Sequence, residues 1–295
     1  MKKRIAGPII APYLPFNVRG EIDEVRLQDH LEIILNARPS ALYCLGEVEE
    51  FAAMPVEQRK YVAEAITKIV AQSCPVVINI GTTVLAQTVE LAVHSEEIGA
   101  HAVYCVPPYY YILDDRALIK YFRNVASSIS IPLHLYNTPE GTKIDFTPNL
   151  LVELGKIPRI EAVKDSSGDL VKMQEYIDTS GLDIFVGGDA LHLPGLVIGA
   201  AGNISGAVGA VFPELPVKLW ESFQQQDLDK AIEIQKKMTA LYRILIDSYP
   251  NWIQTVKEAI KIVWEIDMGK DIVGYSSLSR KDIEKLTEHL REISI

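Results

Sequence analysis

Cysteine is scarce in this chain: three in 295 residues, at 44, 74 and 105, an odd count with no spacing suited to a metal. Cys44 and Cys105 lie inside apolar strand-like runs, so they read as buried free thiols in a reducing compartment, and the chain as cytoplasmic. Positive charge is also in deficit. The 29 lysines and arginines face 39 acids, a formal net charge of −10, which argues against nucleic acid or anionic membrane as a partner. It leaves room for an anionic small substrate, because a site can be locally positive in an acidic protein. Long apolar runs are missing, and none approaches the ~18 residues of a membrane span. The opening Met1-Lys2-Lys3-Arg4 imitates the basic head of a signal peptide, but Pro8, Pro12 and Pro15 interrupt the apolar stretch behind it and no cleavage site appears. Serine nucleophile elbow, P-loop and dinucleotide fingerprint are all absent. The six histidines show no metal-ligand spacing, so neither metal nor organic cofactor is expected.

What is present is a regular alternation. A composition of 48% hydrophobic and 23% charged residues suits a sizeable soluble core. Strand-like runs fall at Ile5–Ala11, Ala41–Leu45, Val76–Ile80, Ala102–Val106, Pro132–Tyr136, Ile160–Lys164, Asp183–Val186 and Asn203–Ala207. Helical periodicity fills the intervals: Glu24–Asn36, Val56–Gln72, Leu85–Ile98, Asp114–Ser127, Phe146–Leu154, Leu170–Thr179, Leu191–Ala200 and Glu214–Gln224. Strands alternating with helices predict a parallel sheet, and about eight repeats without a break in composition predict a closed (β/α)₈ barrel, the TIM barrel. After the first run, Ala11-Pro12-Tyr13-Leu14-Pro15-Phe16 cannot cradle a phosphate, which disfavours the doubly wound alternative. Three further helical stretches, Asp227–Asp247, Trp252–Ile266 and Ser279–Ile293, come next with no low-complexity linker. The expected organisation is therefore a barrel over 1–225 with a helical layer, 226–295, packed on it.

In a barrel of this kind chemistry gathers where the strands end. Strand six ends at Lys164, followed by the turn and helix-start signal Asp165-Ser166-Ser167-Gly168-Asp169. Lysine is seldom fully buried. One at the end of a core strand either snorkels to the surface, pairs with an acid, or serves as a desolvated amine that attacks carbonyl carbon. The other strand ends favour the last reading. They bring Gly46-Glu47-Val48-Glu49-Glu50, Gly81-Thr82-Thr83, Tyr109-Tyr110-Tyr111, Tyr136-Asn137, Gly187-Gly188-Asp189 and Gly202-Asn203-Ile204-Ser205-Gly206 around one hole. A tyrosine near an amine can shuttle protons, and glycine-exposed amides can hold a carboxylate or oxyanion. His134 reads as a satisfied histidine of the barrel core, and Lys143 as a solvated loop amine.

At these residues the chain resembles the dihydrodipicolinate synthase / N-acetylneuraminate lyase superfamily of class I aldolases. The resemblance spans the barrel: Pro108-Tyr109-Tyr110, Tyr136-Asn137-Thr138-Pro139, Val163-Lys164-Asp165 and Gly187-Gly188-Asp189, in order and spacing. It implies a Schiff base between Lys164 and a 2-oxo acid such as pyruvate, with Tyr136 moving the proton at the reacting centre. It implies that Tyr110 completes a proton relay across a tight dimer interface, and that backbone at Gly188 and Ile204 orients the substrate. A homotetramer built as a dimer of dimers is a further implication. The departures are specific. The family's Gly-Thr/Ser-Thr/Ser-Gly-Glu becomes Gly46-Glu47-Val48-Glu49-Glu50, so Glu47 replaces the relay hydroxyl, Val48 the carboxylate-binding hydroxyl, and Glu49 a glycine. A carboxylate aimed at a bound carboxylate is repulsive by several kcal/mol in a poorly hydrated pocket. Either Glu47 turns away, or it is protonated and works as an acid/base group, or the ligand differs. Gly141 stands where dihydrodipicolinate synthases carry an arginine, and Asp189-Ala190 where neuraminate lyases carry Asp-Glu.

These residues predict a divergent member, not a true dihydrodipicolinate synthase. The expected activity is a Schiff-base lyase acting on a pyruvate-type 2-oxo acid, with cleavage of a 2-keto-3-deoxy sugar acid as one form. The alternatives are a dehydratase of the same substrates, using the same imine, and a barrel that has kept its scaffold as a metabolite-binding protein.

Overall fold

The computed structural model describes residues 4–249 and 251–293. Eight strands, β1 Gly7–Ile10, β2 Ala41–Cys44, β3 Val76–Asn79, β4 Ala102–Cys105, β5 Leu133–Asn137, β6 Ile160–Asp165, β7 Asp183–Gly187 and β8 Gly202–Ser205, form one closed barrel in sequence order. All pairings are parallel, and β1 closes the ring by pairing with both β2 and β8. Alternation along the strands sorts the side chains. Ile9, Tyr43, Val77, Tyr104, Tyr136, Ala162, Phe185 and Ile204 fill the interior, while Leu42, Cys44, Val103, Leu135, Val163 and Val186 face the surrounding helices. The interior is aromatic: Tyr43 stacks on Tyr104 with centroids 4.5 Å apart. His134 shares a hydrogen bond with the Tyr43 hydroxyl, and burial pushes its imidazole down to about 3. It is a neutral core histidine.

Around the barrel run α1 Glu24–Asn36, α2 Val56–Val70, α3 Leu85–Glu97, α4 Asp115–Ser127, α5 Pro139–Thr142, α6 Pro148–Gly155, α7 Leu170–Thr179, α8 His192–Val197, α9 Val208–Val211 and α10 Glu214–Gln224. The starts of three of these are chemically fixed: Asp23, Asp114 and Asp169 each accept the backbone amide three residues on. The C-terminal layer is α11 Leu228–Tyr242, α12 Trp252–Trp264 and α13 Arg280–Glu292. One apolar cluster joins it to the barrel, running from Val208, Phe212 and Leu219 to Met238, Leu241, Val256 and Ile260. The Trp264 indole donates to Val211 O at 2.7 Å across the same seam.

The architecture is the expected one, and the differences are local. The stretch expected as one helix over Asp227–Asp247 leaves α-geometry at Tyr242 and widens into a π-turn, Arg243–Asp247. The helix expected over Leu191–Ala200 shrinks to six residues behind a 3₁₀ turn at Asp189–Leu191. Two more 3₁₀ turns, Glu47–Glu49 and Phe51–Ala53, and the short α5 and α9 sit in the strand-end loops. Turns of three or four residues are too short to display a helical period, so pattern alone passes over them. The three cysteines are buried and free. Among the described residues no helix is long and apolar enough to cross a membrane.

Candidate active site

Lys164 is the penultimate residue of β6, half-buried, and directly opposite Tyr136 of β5 in the parallel register. Strand alternation puts both on the interior side, above Ala162. The result is close: Lys164 Nζ lies 4.1 Å from the centroid of the Tyr136 ring. The next residues fix the strand ends. Asn137 Nδ2 donates to Asp165 Oδ1 at 2.8 Å and to Asp145 Oδ1 at 2.9 Å, and Ser167 Oγ donates to Asp165 at 3.0 Å. Neither Lys164 nor Tyr136 can therefore slide along its strand without breaking this tie.

The β2 loop supplies the third group. The Tyr136 hydroxyl donates to Glu47 Oε2 at 3.5 Å. Burial pushes the Glu47 carboxyl up from the ordinary value; Lys164 opposes this, Glu140 adds to it, and the Tyr136 bond opposes it. Three neighbours hold the loop. Gly46 runs so close to the barrel interior that a Cβ there would lie 2.5 Å from the Tyr104 hydroxyl, which requires glycine. Glu49, fully buried, turns back to accept the amides of Leu45 at 3.1 Å and Gly46 at 2.8 Å. Burial outweighs those bonds and raises its carboxyl to about 8. Glu50, in the left-handed region at φ 61°, buries its carboxylate against Lys257 Nζ of α12 at 2.6 Å and also accepts the Ile272 amide. Val48 packs on the apolar cluster of the C-terminal layer, and a Cβ at Gly206 would meet its Cγ1 at 3.0 Å.

Gly188 adopts φ +84° at the end of β7, with open space where a Cβ would stand. Beside it Asp189 is buried; it accepts the Ser205 hydroxyl and the amides of Ala207 and Val208, the latter at 2.9 Å. This fixes the end of β8, where Ile204 pairs with Gly187 and is buried in the barrel interior. Tyr242, where α11 gives way to the π-turn, is raised by burial first and then by the charges of Asp247, Asp189, Glu140 and Glu47. Tyr110 is apart from this group. It is 82% exposed, at φ 81°, and its ring meets Tyr111 edge-on. The strand ends thus bring Lys164, Tyr136 and Glu47 together and leave Tyr110 on the surface of the single chain. Sequence reading passed over Glu50–Lys257, whose partners are 207 residues apart, and Tyr242. Among the described residues no three metal-ligating side chains converge.

Across residues 4–287 the chain matches the dihydrodipicolinate synthetase family. It belongs to that family. A 4-hydroxy-tetrahydrodipicolinate synthase of Archaeoglobus fulgidus is 31% identical over 98% of each chain. A DapA-like lyase of Halobacterium salinarum is 32% identical over 73% of this chain and 71% of its own. Among solved structures, a prophage protein of the family from E. coli K12, in complex with pyruvate, superposes with a TM-score of 0.94 at 25% identity, covering 99% of both chains. A catalytic-lysine mutant of Ruminococcus gnavus sialic acid aldolase superposes at 0.93 with 26% identity, over 98% of this chain and 95% of that one. The family is one of lyases acting on small molecules, and this chain's strand-end lysine, tyrosine and acid are groups able to perform proton-coupled carbonyl chemistry.

Proposed function

We propose that the chain is a class I lyase in which Lys164 condenses with the carbonyl carbon of a pyruvate-type 2-oxo acid. Loss of water gives an imine, which draws in the electron pair of the breaking carbon–carbon bond as an enamine; no metal or organic cofactor is needed for that step. Tyr136 takes the proton from the substrate hydroxyl whose oxygen becomes the carbonyl of the departing aldehyde. The observation that carries this reading is the register pair, an amine 4.1 Å from a phenol ring at the mouth of a barrel. The pyruvate complex of one structural neighbour and the aldolase activity named for another support it. Backbone at Gly46–Val48, Gly188 and Ile204 would hold the substrate's carboxylate and carbonyl. Gly46 N is already taken by Glu49, which leaves the amides of Glu47 and Val48, the first of a 3₁₀ turn, for that task.

Glu47, Glu140 and Gly141 lie toward the far end of the substrate, and by the family resemblance Gly141 stands where an arginine would meet a second carboxylate. A polyhydroxy tail fits this mouth, hence a 2-keto-3-deoxy sugar acid. Dehydration of such an acid is the second reading, favoured by the raised Glu47 carboxyl, an acid able to protonate a leaving hydroxyl. Catalysis belongs to the barrel, residues 1–225, braced by 226–295. The exposed Tyr110, Tyr111 and Ile112 support self-association, as a dimer of dimers. The buried free thiols support a cytoplasmic setting.

Borohydride reduction in the presence of pyruvate, followed by intact mass, tests the imine. A single adduct lost in Lys164→Ala is expected. No adduct with any of a panel of 2-oxo acids, under conditions that label a known aldolase, would leave a metabolite-binding barrel. With 2-keto-3-deoxygluconate, release of pyruvate marks cleavage; a dehydrated product marks the hydro-lyase.

A further inference from the structure

We propose that Glu47 exchanges protons with the Tyr136 hydroxyl and so carries the proton between that buried phenol and the rim of the barrel. The proposal rests on the Schiff-base reading and assigns Glu47 a role acting through Tyr136. Tyr136 is 3% exposed, so a proton it takes from substrate needs a way out. Its hydroxyl points at Glu47 Oε2, 3.5 Å away, and Glu47 keeps part of its side chain open to solvent at the rim while the surrounding mouth desolvates its carboxyl. The carboxyl therefore spans the gap between a buried phenol and bulk water. The loop keeps it there: Glu49 clamps the amides before it and Glu50 anchors the residues after it to Lys257. Tyr110 is 82% exposed in its own chain, its ring edge-on to Tyr111, as a residue reaching toward a second copy would be.

The step balances without a free phenolate. As the substrate hydroxyl O–H breaks and its proton passes to Tyr136, the phenol's own proton passes to the Glu47 carboxylate. The electron pair of the breaking carbon–carbon bond moves into the imine. Glu47 then returns the proton to water, or back through Tyr136 to the enamine carbon. The groups that act on the Glu47 carboxyl are Lys164 on β6, Glu140 on α5 and Tyr136 on β5, and its charge is felt in turn by Tyr242 at the end of α11 and Tyr13 beyond β1. Burial raises the carboxyl toward the phenol, which lessens the uphill part of the transfer; Lys164 works the other way.

Pyruvate in D₂O is a sufficient probe, because imine and enamine interconversion exchanges its methyl hydrogens whatever the second substrate is. Proton NMR would follow exchange, and borohydride trapping the imine, in wild type, Glu47→Gln, Glu47→Asp and Tyr110→Phe. For Glu47→Gln the expected result is an undiminished adduct with exchange slowed about 100-fold. Glu47→Asp should restore part of the rate. Wild-type exchange should fall as pH drops through the Glu47 carboxyl, above the ordinary carboxylate range, and the glutamine variant should lack that limb. Glu47→Gln exchanging at the wild-type rate overturns the proposal. So does loss of its adduct along with exchange, which would make Glu47 a binding group, or a Tyr110→Phe variant that loses exchange while Glu47→Gln keeps it. Absence of any adduct in wild type overturns the Schiff-base reading and the relay with it.

Discussion

A phenol, an amine and two acids share the mouth of this barrel, and their surroundings make them unequal. Tyr136 has both Lys164 and Glu47 within reach. Tyr136→Phe is expected to lose most turnover, by about 100-fold or more, while the borohydride adduct persists; unchanged turnover would remove Tyr136 from the mechanism. Glu49 is the acid that carries no charge at neutral pH, since burial lifts it to about 8. The folded chain thus holds a proton that the unfolded chain releases between about pH 4.5 and about 8. More protons bound in the folded state means stability that falls as pH rises across that window. Glu49→Gln should flatten this slope. It should be less stable than wild type at pH 5 by about 1 kcal/mol, because one of the two amide bonds is lost, and should draw level or better by pH 8. Urea midpoints at the two pH values decide it. Lys164 was legible from the sequence because a lysine ending an apolar run breaks its own pattern. The role of Glu49 was not, because its partners are backbone amides and nothing in residue type announces them.

At the scale of elements, strands and long helices were readable because periods of two and 3.6 have room to repeat in them. All eight strands were located from the sequence, with ends displaced by a residue or two; β1 is shorter than Ile5–Ala11 because only Gly7–Ile10 pairs. The strand-end turns, where the site is made, are below that limit. The β2 loop owes its shape to a contact far away in sequence, Glu50 with Lys257, both nearly inaccessible. Lys257→Met strands a buried carboxylate and is expected to cost about 3–5 kcal/mol in chemical denaturation. Adding Glu50→Gln should recover part of that loss, since the remaining amide can still meet Ile272 N. Equal stability of wild type and Lys257→Met would show the pair to be dispensable.

For the molecule as a whole, the barrel closes its own sheet edges, and the layer α11–α13 covers what would otherwise be a large apolar flank. Tyr110, Tyr111 and Ile112 form a contiguous apolar stretch, each more than 70% exposed in a single chain. A pair of substitutions, Tyr111→Glu with Ile112→Glu, should lower the mass seen by light scattering, whereas an unchanged mass would place the contact between copies elsewhere.

The tight turn after β2 is riveted on either flank and half-packed at Val48, yet at 47 it carries a side chain whose hydrogen-bond partner is the Tyr136 hydroxyl. Such an arrangement lets inheritance rewrite the reagent without redrawing the vessel. A lineage could try hydroxyl, acid or alkyl at that tip one codon at a time, each on an intact scaffold, and so change trade while keeping the workshop.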